Sequence, residues 1–149
     1  MKRIPQLLAI IILAGCASMQ TVSPEKLIYQ KIIEAPGMTQ AQLYDKALQW
    51  MAYTFRSSKN VIQYQNQNEF KIIGKGYLDV NYSGLAAVPT YFTLTIETKD
   101  GRLRITFSNM GFDNGMPFNN QLQLDAFSMR AYDLVYSLQK SLESPAESW

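Results

Sequence analysis

Side chains capable of acid-base or nucleophilic chemistry are sparse in this chain. Its 149 residues contain no histidine and a single cysteine, Cys16. The absence of histidine excludes histidine-dependent triads, histidine zinc sites and histidine pH switches. No Gly-x-Ser-x-Gly nucleophile motif is present, and the aspartates that could act as acids or bases show no paired spacing. Those aspartates are Asp79, Asp113, Asp125 and Asp133. We therefore expect no enzymatic activity, no cofactor and no metal site.

The sequence around Cys16 indicates what the cysteine does. Two basic residues at positions 2–3 and an apolar run at 7–13 come before it, which is typical of an export signal. The apolar run is too short to cross a bilayer, because a spanning helix needs roughly 20 apolar residues. The order Leu13-Ala14-Gly15-Cys16 resembles the lipobox of bacterial lipoproteins.

That resemblance implies a lipid anchor at Cys16. In lipoproteins the signal peptide is removed before the cysteine, so residues 1–15 would be lost and Cys16 would be acylated, with palmitate among the expected chains. One acyl chain binds a membrane marginally, whereas two or more hold a protein stably. Ala17 follows the cysteine without an acidic cluster. By resemblance to Gram-negative sorting patterns, this suggests the periplasmic face of the outer membrane. A free or buried thiol is the alternative interpretation.

The charge balance argues against a nucleic-acid partner. Residues 2–3 are two of the 14 basic residues, so residues 16–149 carry 12 basic and 12 acidic side chains. Binding to nucleic acid depends on a basic surface that releases counterions. The expected partners are the membrane, through acylated Cys16, and an unknown envelope protein or other envelope component.

The rest of the chain is long enough for one domain and too short for two of typical size. Residues 16–26 are polar and interrupted by proline, which predicts a lipidated tether. Residues 27–143 are predicted to form the domain, and residues 144–149 a mobile tail. A first strand is expected at 27–34.

Two helices are predicted from local signals. Thr39 and Gln42 have the spacing of a capping box, with Met38 and Leu43 as a hydrophobic staple, so a helix should cover residues 40–56. A second helix over residues 122–142 carries apolar residues at helical spacing. That stripe consists of Leu124, Phe127, Ala131, Leu134, Leu138 and Leu142.

Four strands are predicted between the helices, at residues 61–65, 70–78, 91–98 and 102–110. A three-residue loop between the first two would place Tyr64 opposite Phe70. Asp100-Gly101 suits a type I′ turn and would close a hairpin between the last two. Its register sets Ile96 opposite Ile105 on one face and Glu97 opposite Arg104 on the other.

The predicted order is therefore β-α-β-β-β-β-α. This gives an α+β fold, an antiparallel five-stranded sheet with two helices packed on one face. Three stretches, at residues 71–76, 89–96 and 100–107, resemble a bacterial domain-of-unknown-function family with a TATA-binding-protein-like (TBP-like) fold. The resemblance covers about residues 27–142. Members of that family are largely exported or lipid-anchored, and the family has no catalytic residue to transfer.

The open face of the sheet and one loop supply the candidate binding residues. The face without helices would present Thr93, Thr95, Glu97, Arg104 and Thr106. A glycine- and asparagine-rich loop at residues 111–121 carries Phe112, Met116 and Phe118. These loop side chains either cover the end of the sheet or contact a partner, and covering is the favoured interpretation.

Two functions remain open at this point. The first is a lipid-anchored, non-catalytic envelope module that binds a partner through the open sheet face. The second is a carrier of a small ligand in a cavity between sheet and helices. The residues expected to line such a cavity are Tyr44, Trp50, Tyr132 and Tyr136.

Overall fold

The computed structural model describes residues 21–55, 61–82, 84 and 86–143, so Cys16 and the predicted tail at 144–149 lie outside it. Over the described residues a short 3-10 helix, Pro24–Lys26, is followed by five strands and two α-helices. These elements are β1 (Tyr29–Glu34), α1 (Gln40–Thr54), β2 (Val61–Asn66), β3 (Lys71–Asn81), β4 (Ala87–Lys99), β5 (Arg102–Phe112) and α2 (Gln121–Glu143). The predicted α+β fold and element order are confirmed.

The strands form one antiparallel sheet in the order β1-β5-β4-β3-β2. Along β4 the side chains alternate, with Phe92, Leu94 and Ile96 buried and the residues between them half-exposed. Successive side chains of a strand point to opposite faces, so one face of the sheet lies under the helices and the other remains open.

A cluster of phenylalanines joins the sheet to α2. The ring of Phe127 lies 5.7 Å from the rings of both Phe92 and Phe107, measured between centroids, and 6.1 Å from that of Phe118. All four side chains are almost completely buried. These edge-to-face contacts are a geometry that aromatic pairs prefer, and they pack α2 against the sheet.

The predicted capping box begins α1. The Gln42 amide N–H donates to Thr39 Oγ1 at 3.3 Å, and the Thr39 amide donates to Gln42 Oε1 at 2.9 Å. Both contacts satisfy backbone N–H groups that have no partner within the helix. From there the helix buries Leu43, Tyr44, Ala47, Trp50 and Met51.

Thr39→Ala should lower the free energy of unfolding by about 1 kcal/mol, because it removes the acceptor for the Gln42 amide. Urea denaturation followed by circular dichroism measures the change. Thr39→Ser keeps the hydroxyl and is the matched control, for which we expect little change. Equal losses in the two variants would show that the cap hydroxyl does not stabilise the helix.

The β4–β5 hairpin has the predicted register. Ile96 lies opposite Ile105, and Glu97 lies opposite Arg104. The turn type is different from the prediction, since a type I′ turn requires positive φ at both central residues and only Gly101 has it, at 74°. The Asp100 side chain contacts the start of α1, where its Oδ1 accepts a hydrogen bond from the Gln40 amide at 2.7 Å.

The predicted β2–β3 register is wrong. Tyr64 lies opposite Ile73 rather than Phe70, and the pairing shifts between Ile62 and Tyr64. The connecting turn is longer than three residues, and Phe70 adopts a positive φ of 48° within it. Asn66 Oδ1 stabilises this turn by accepting from the Asn68 amide at 3.0 Å. A side-chain-supported turn of this kind fixes register independently of the hydrophobic pattern.

The segment before β1 also contacts the domain. Val22 packs against the core, and its amide donates to the Asn119 carbonyl at 2.7 Å. Val22 lies within the tether predicted at 16–26, so at least this residue of the predicted tether takes part in the fold.

No helix among the described residues is both long enough and apolar enough to cross a bilayer.

Candidate functional site

Five side chains predicted to share the open face do form one surface, named here the open-face patch: Thr93, Thr95, Glu97, Arg104 and Thr106. β4 and β5 are adjacent, and their register brings the residues into rows. Thr95 lies opposite Thr106, and Glu97 lies opposite Arg104. All five are at least partly exposed. The patch is therefore accessible and consists of hydroxyl and charged groups.

An ion pair occupies one end of the open-face patch. Glu97 Oε2 accepts from Arg104 Nε at 2.9 Å and from Arg104 Nη2 at 2.6 Å. The two side chains are 34% and 48% exposed, so water screens the attraction. Such a pair contributes at most about 1 kcal/mol to stability. Its main structural effect is to hold the Arg104 guanidinium beside Glu97 across the two strands.

The neighbouring strand β3 extends the patch with residues that the sequence analysis did not select. Lys71, Ile73 and Lys75 lie opposite Glu97, Thr95 and Thr93 in that order. This row was identifiable from the alternation along β3 only once its pairing with β4 was known. Lys71 and Arg104 are the partners of Glu97 on the two neighbouring strands, and Lys75 lies opposite Thr93. The extended surface thus carries three cationic side chains and one carboxylate.

β1, the neighbour of β5, extends the open face on the side away from β4. Gln30 lies opposite Thr106, whose hydroxyl donates to Gln30 Oε1 at 3.3 Å, and Ile32 lies opposite Arg104. Ile32 is 56% exposed. The open face therefore combines hydroxyl, amide and cationic groups with an exposed aliphatic side chain, a composition suited to binding and without a paired acid and base.

The loop at 111–121 separates into buried and exposed parts. Phe118 is completely buried, and its ring lies 5.4 Å from Phe112 and 5.8 Å from Tyr82. Phe112 is half-buried against the same tyrosine ring. The structure therefore excludes Phe118 as a partner-binding residue and gives Phe112 a covering role. Met116 alone of the three predicted loop residues is well exposed, at 56%.

Tyr82 anchors this covering cluster through its hydroxyl. The hydroxyl lies 2.8 Å from Thr90 Oγ1, and Thr90 is fully buried. Burial raises the pKa of Tyr82 above its ordinary value, although the hydrogen bond with Thr90 opposes the shift. The phenol therefore stays protonated at neutral pH and acts as a structural hydrogen-bonding group.

The residues predicted to line a ligand cavity do not do so. Tyr44 and Trp50 are buried in the core, and Trp50 Nε1 donates to Ser137 Oγ at 3.1 Å. Tyr132 and Tyr136 are more than half exposed on α2. A cavity of about 270 Å³ lies elsewhere, beneath the C-terminal end of α1. Its lining consists of Met51, Ala52, Phe55, Ile62, Gly74, Lys75, Gly76, Phe92 and Leu94.

A glycine shapes one wall of this cavity. A Cβ at Gly76 would meet Phe92 Cζ at 2.5 Å and Cε2 at 2.9 Å, so glycine is needed for the ring to lie against β3. The cavity volume falls just below the roughly 300–1,000 Å³ common for small-molecule pockets.

Two of the four aspartates considered as acids or bases use their carboxylates in contacts on α2. Asp133 Oδ2 accepts from Arg130 Nη1 at 3.0 Å, and Asp125 Oδ1 accepts from Gln121 Nε2 at 2.8 Å. Arg130 Nε also donates to the Asp79 carbonyl at 3.3 Å. Over the described residues, no three acidic, cysteine or histidine side chains come together as potential metal ligands.

Two solved bacterial structures illustrate the similarity of the fold. A DUF4468 family protein from Bacteroides ovatus superposes with a TM-score of 0.65 at 16% identity, covering 81% of this chain and 88% of its own. A TBP-like protein from Parabacteroides distasonis gives a TM-score of 0.66 at 10% identity, covering 80% and 94%. At these identities the likeness concerns the fold.

The search of curated proteins found no match to this chain. Residues 29–113, from β1 to the end of β5, match the family model described as a domain of unknown function (DUF4468) with TBP-like fold. The match includes all five strands and α1, so it takes in the whole open face. The chain belongs to the DUF4468 family of TBP-like domains.

Proposed function

We propose that this protein is a lipid-anchored, non-catalytic module of the bacterial cell envelope that binds an envelope component through its open sheet face. The observation that carries the proposal is the open-face patch itself. Both helices pack on the opposite face, and Thr93, Thr95 and Thr106 remain accessible in the centre of the sheet. A contiguous accessible sheet face held on a rigid scaffold is a suitable surface for a specific partner.

The composition of the open face supports a non-catalytic role. Catalytic sites bring an acid, base or nucleophile into a concave pocket with a perturbed pKa. The described open face presents Glu97 in a solvent-screened ion pair with Arg104, beside threonine hydroxyls. The expected partner is an envelope protein or another envelope component, reached while Cys16 holds the protein at the periplasmic face of the outer membrane.

Nucleic acid is not the expected partner, although the name of the fold is associated with DNA. Fold alone does not determine function. Residues 16–149 carry equal numbers of basic and acidic side chains. Such a balance leaves residues 16–149 without the net positive charge that favours the release of counterions.

Photo-crosslinking in living cells tests the role of the open face. A photoreactive phenylalanine analogue at Thr95 should capture a recurrent envelope component, and the same analogue at Gln139 on α2 should not. Gln139 is exposed and serves as the matched position. Mass spectrometry of the captured species then distinguishes a protein from another envelope component.

A charge substitution provides the quantitative form of this test. Thr95→Arg should reduce recovery of the captured component at least about tenfold, equivalent to a loss of about 1.4 kcal/mol of binding free energy. Gln139→Arg adds the same charge away from the patch and should leave recovery unchanged. Equal recovery by the two variants, with both folded, would refute binding through the open face.

A further inference from the structure

The point at which the chain enters the domain limits how far the domain can be from the membrane. Val22 is fixed by its hydrogen bond to Asn119 and by packing against the core. It lies six residues after Cys16. A chain extends by at most about 3.6 Å per residue, so six residues reach roughly 22 Å whatever their conformation. With Cys16 acylated, this end of the domain must lie within that distance of the bilayer.

The same end of the domain is apolar. The chain segments that meet there are the entry to β1, the start of β4, the loop after β5 and the first turn of α2. Each segment exposes one large hydrophobic side chain. The end of the domain that carries these four side chains is called the anchor end. The four are Ile28 at 45%, Val88 at 37%, Met116 at 56% and Leu122 at 65% exposed.

The opposite end of the sheet is different. Its turns comprise residues 35–39, 67–70 and 100–101, and no exposed large hydrophobic side chain occurs among these described residues. The other exposed ones lie within strands and helices rather than in the turns of either end. They are Ile32, Tyr53, Ile62, Tyr64, Met129, Tyr132 and Tyr136. Of the two ends, the one with exposed apolar side chains is the end at which the chain from Cys16 enters the domain.

Hydrogen bonds fix the backbone around Met116 and Leu122, the two most exposed side chains of the anchor end. The Met116 carbonyl accepts from the Phe112 amide at 2.8 Å, and the Met116 amide donates to Asn114 Oδ1 at 3.0 Å. Leu122 follows Asn120, whose Oδ1 accepts from the Gln123 amide at 3.0 Å at the start of α2. Because the backbone is already ordered, burying these side chains in a partner costs side-chain entropy but little backbone entropy.

We propose that the anchor end docks on the bilayer that holds Cys16, with Met116 and Leu122 in the interfacial region of the lipid. This inference rests on the lipid anchor of the proposed function and adds an orientation to it. Apolar side chains at a membrane interface add binding in proportion to the apolar area that they bury. Of the charged residues near them in the sequence, Glu25, Asp113 and Asp125 are acidic and only Lys26 is basic. Docking therefore depends on apolar burial rather than on attraction to anionic lipid, and on uncharged lipid it should not depend on salt.

This orientation leaves the open-face patch free. The strands run from the anchor end to the opposite end of the sheet, so the open face stands beside the membrane surface rather than against it. Thr95 and Thr106 lie in the middle of their strands, away from both ends. The anchored protein can thus bind the bilayer and its envelope partner at the same time.

A fluorescent label can report docking because Cys16 is the only cysteine of the chain. Acylation consumes its thiol, so a cysteine introduced by Met116→Cys is the only reactive one in the lipidated protein. We would attach the environment-sensitive dye NBD there and reconstitute the protein in phosphatidylcholine vesicles. The dye at position 116 should show blue-shifted emission and quenching by spin-labelled lipid, unchanged from low to high salt.

Asn68→Cys is the matched control, because Asn68 is exposed in a turn at the opposite end. Its label should behave as it does in water. Adding Leu122→Ser to the protein labelled at 116 should reduce lipid quenching. Intact mass is measured first, and an unacylated protein would count against the anchor of the proposed function. In the acylated protein, equal water-like emission from positions 116 and 68 would overturn the docking while leaving the anchor intact.

Discussion

Phe127→Ala should lower the free energy of unfolding by about 3–5 kcal/mol, the range for removal of a fully buried aromatic ring. The ring contacts Phe92, Phe107 and Phe118 with centroid distances of 5.7 Å, 5.7 Å and 6.1 Å. Its loss therefore leaves a cavity at the junction of α2, β4, β5 and the covering loop. Stability of a domain this size is commonly about 5–15 kcal/mol, so the variant would lose a large part of it.

Urea denaturation monitored by tryptophan fluorescence and circular dichroism measures this loss. Met129→Ala is the matched control, since Met129 lies two residues further along α2 and is 75% exposed. We expect that substitution to change the unfolding free energy by no more than about 0.5 kcal/mol. If both variants unfold at the same denaturant concentration, the aromatic cluster does not join α2 to the sheet.

Cys16→Ser should abolish lipid attachment. Serine cannot form the thioether through which a lipoprotein cysteine carries its diacylglycerol, and two or more chains are required for stable anchoring. Labelled palmitate should be incorporated into the wild-type protein and not into the variant. Partition between detergent-rich and aqueous phases gives a second measurement on the same cells.

Ser18→Ala is a control for changes near the anchor, because it alters a neighbouring side chain and keeps the cysteine. It should incorporate palmitate like the wild type. Palmitate incorporation by the Cys16→Ser protein would mean that the lipid is attached elsewhere. Absence of label from the wild type would favour the alternative interpretation of Cys16 as a free or buried thiol.

The features that sequence analysis predicted correctly are determined by neighbours in the chain. The capping box of Thr39 and Gln42 depends on residues three apart, and the structure confirms it. The β4–β5 register depends on a two-residue connection between alternating strands, and it too is confirmed. Local hydrogen bonds and alternation act in these elements without help from the rest of the molecule.

Errors occurred where a distant contact competes with a local preference. Asp100 does not adopt the positive φ of a type I′ turn, since its carboxylate caps the Gln40 amide at the start of α1. Strand β4 begins at Ala87 rather than near Tyr91, because its first residues pair with the end of β3. Such contacts join residues far apart in the chain and leave no local pattern.

The candidate binding residues also divide into those that local alternation predicts and those that only tertiary contacts reveal. Alternation along β4 and β5 identified Thr93, Thr95 and Thr106 as one face before their accessibility was known. Lys71 and Lys75 were missed because β3 joins the patch only through its register with β4. Phe118 was included among the binding candidates because the sequence does not show that its ring is buried. That burial against Tyr82 arises only when the loop folds back over the end of the sheet.

The amino-acid sequence was sufficient for the fold class and the register of the β4–β5 hairpin, because both follow from periodicity or from a short contiguous motif. Which apolar side chains stay exposed was decided only by tertiary structure. Phe118 and Met116 lie in one loop, yet the first is buried and the second exposed. Burial depends on what the folded chain brings next to a residue, and neither spacing nor composition specifies that neighbour.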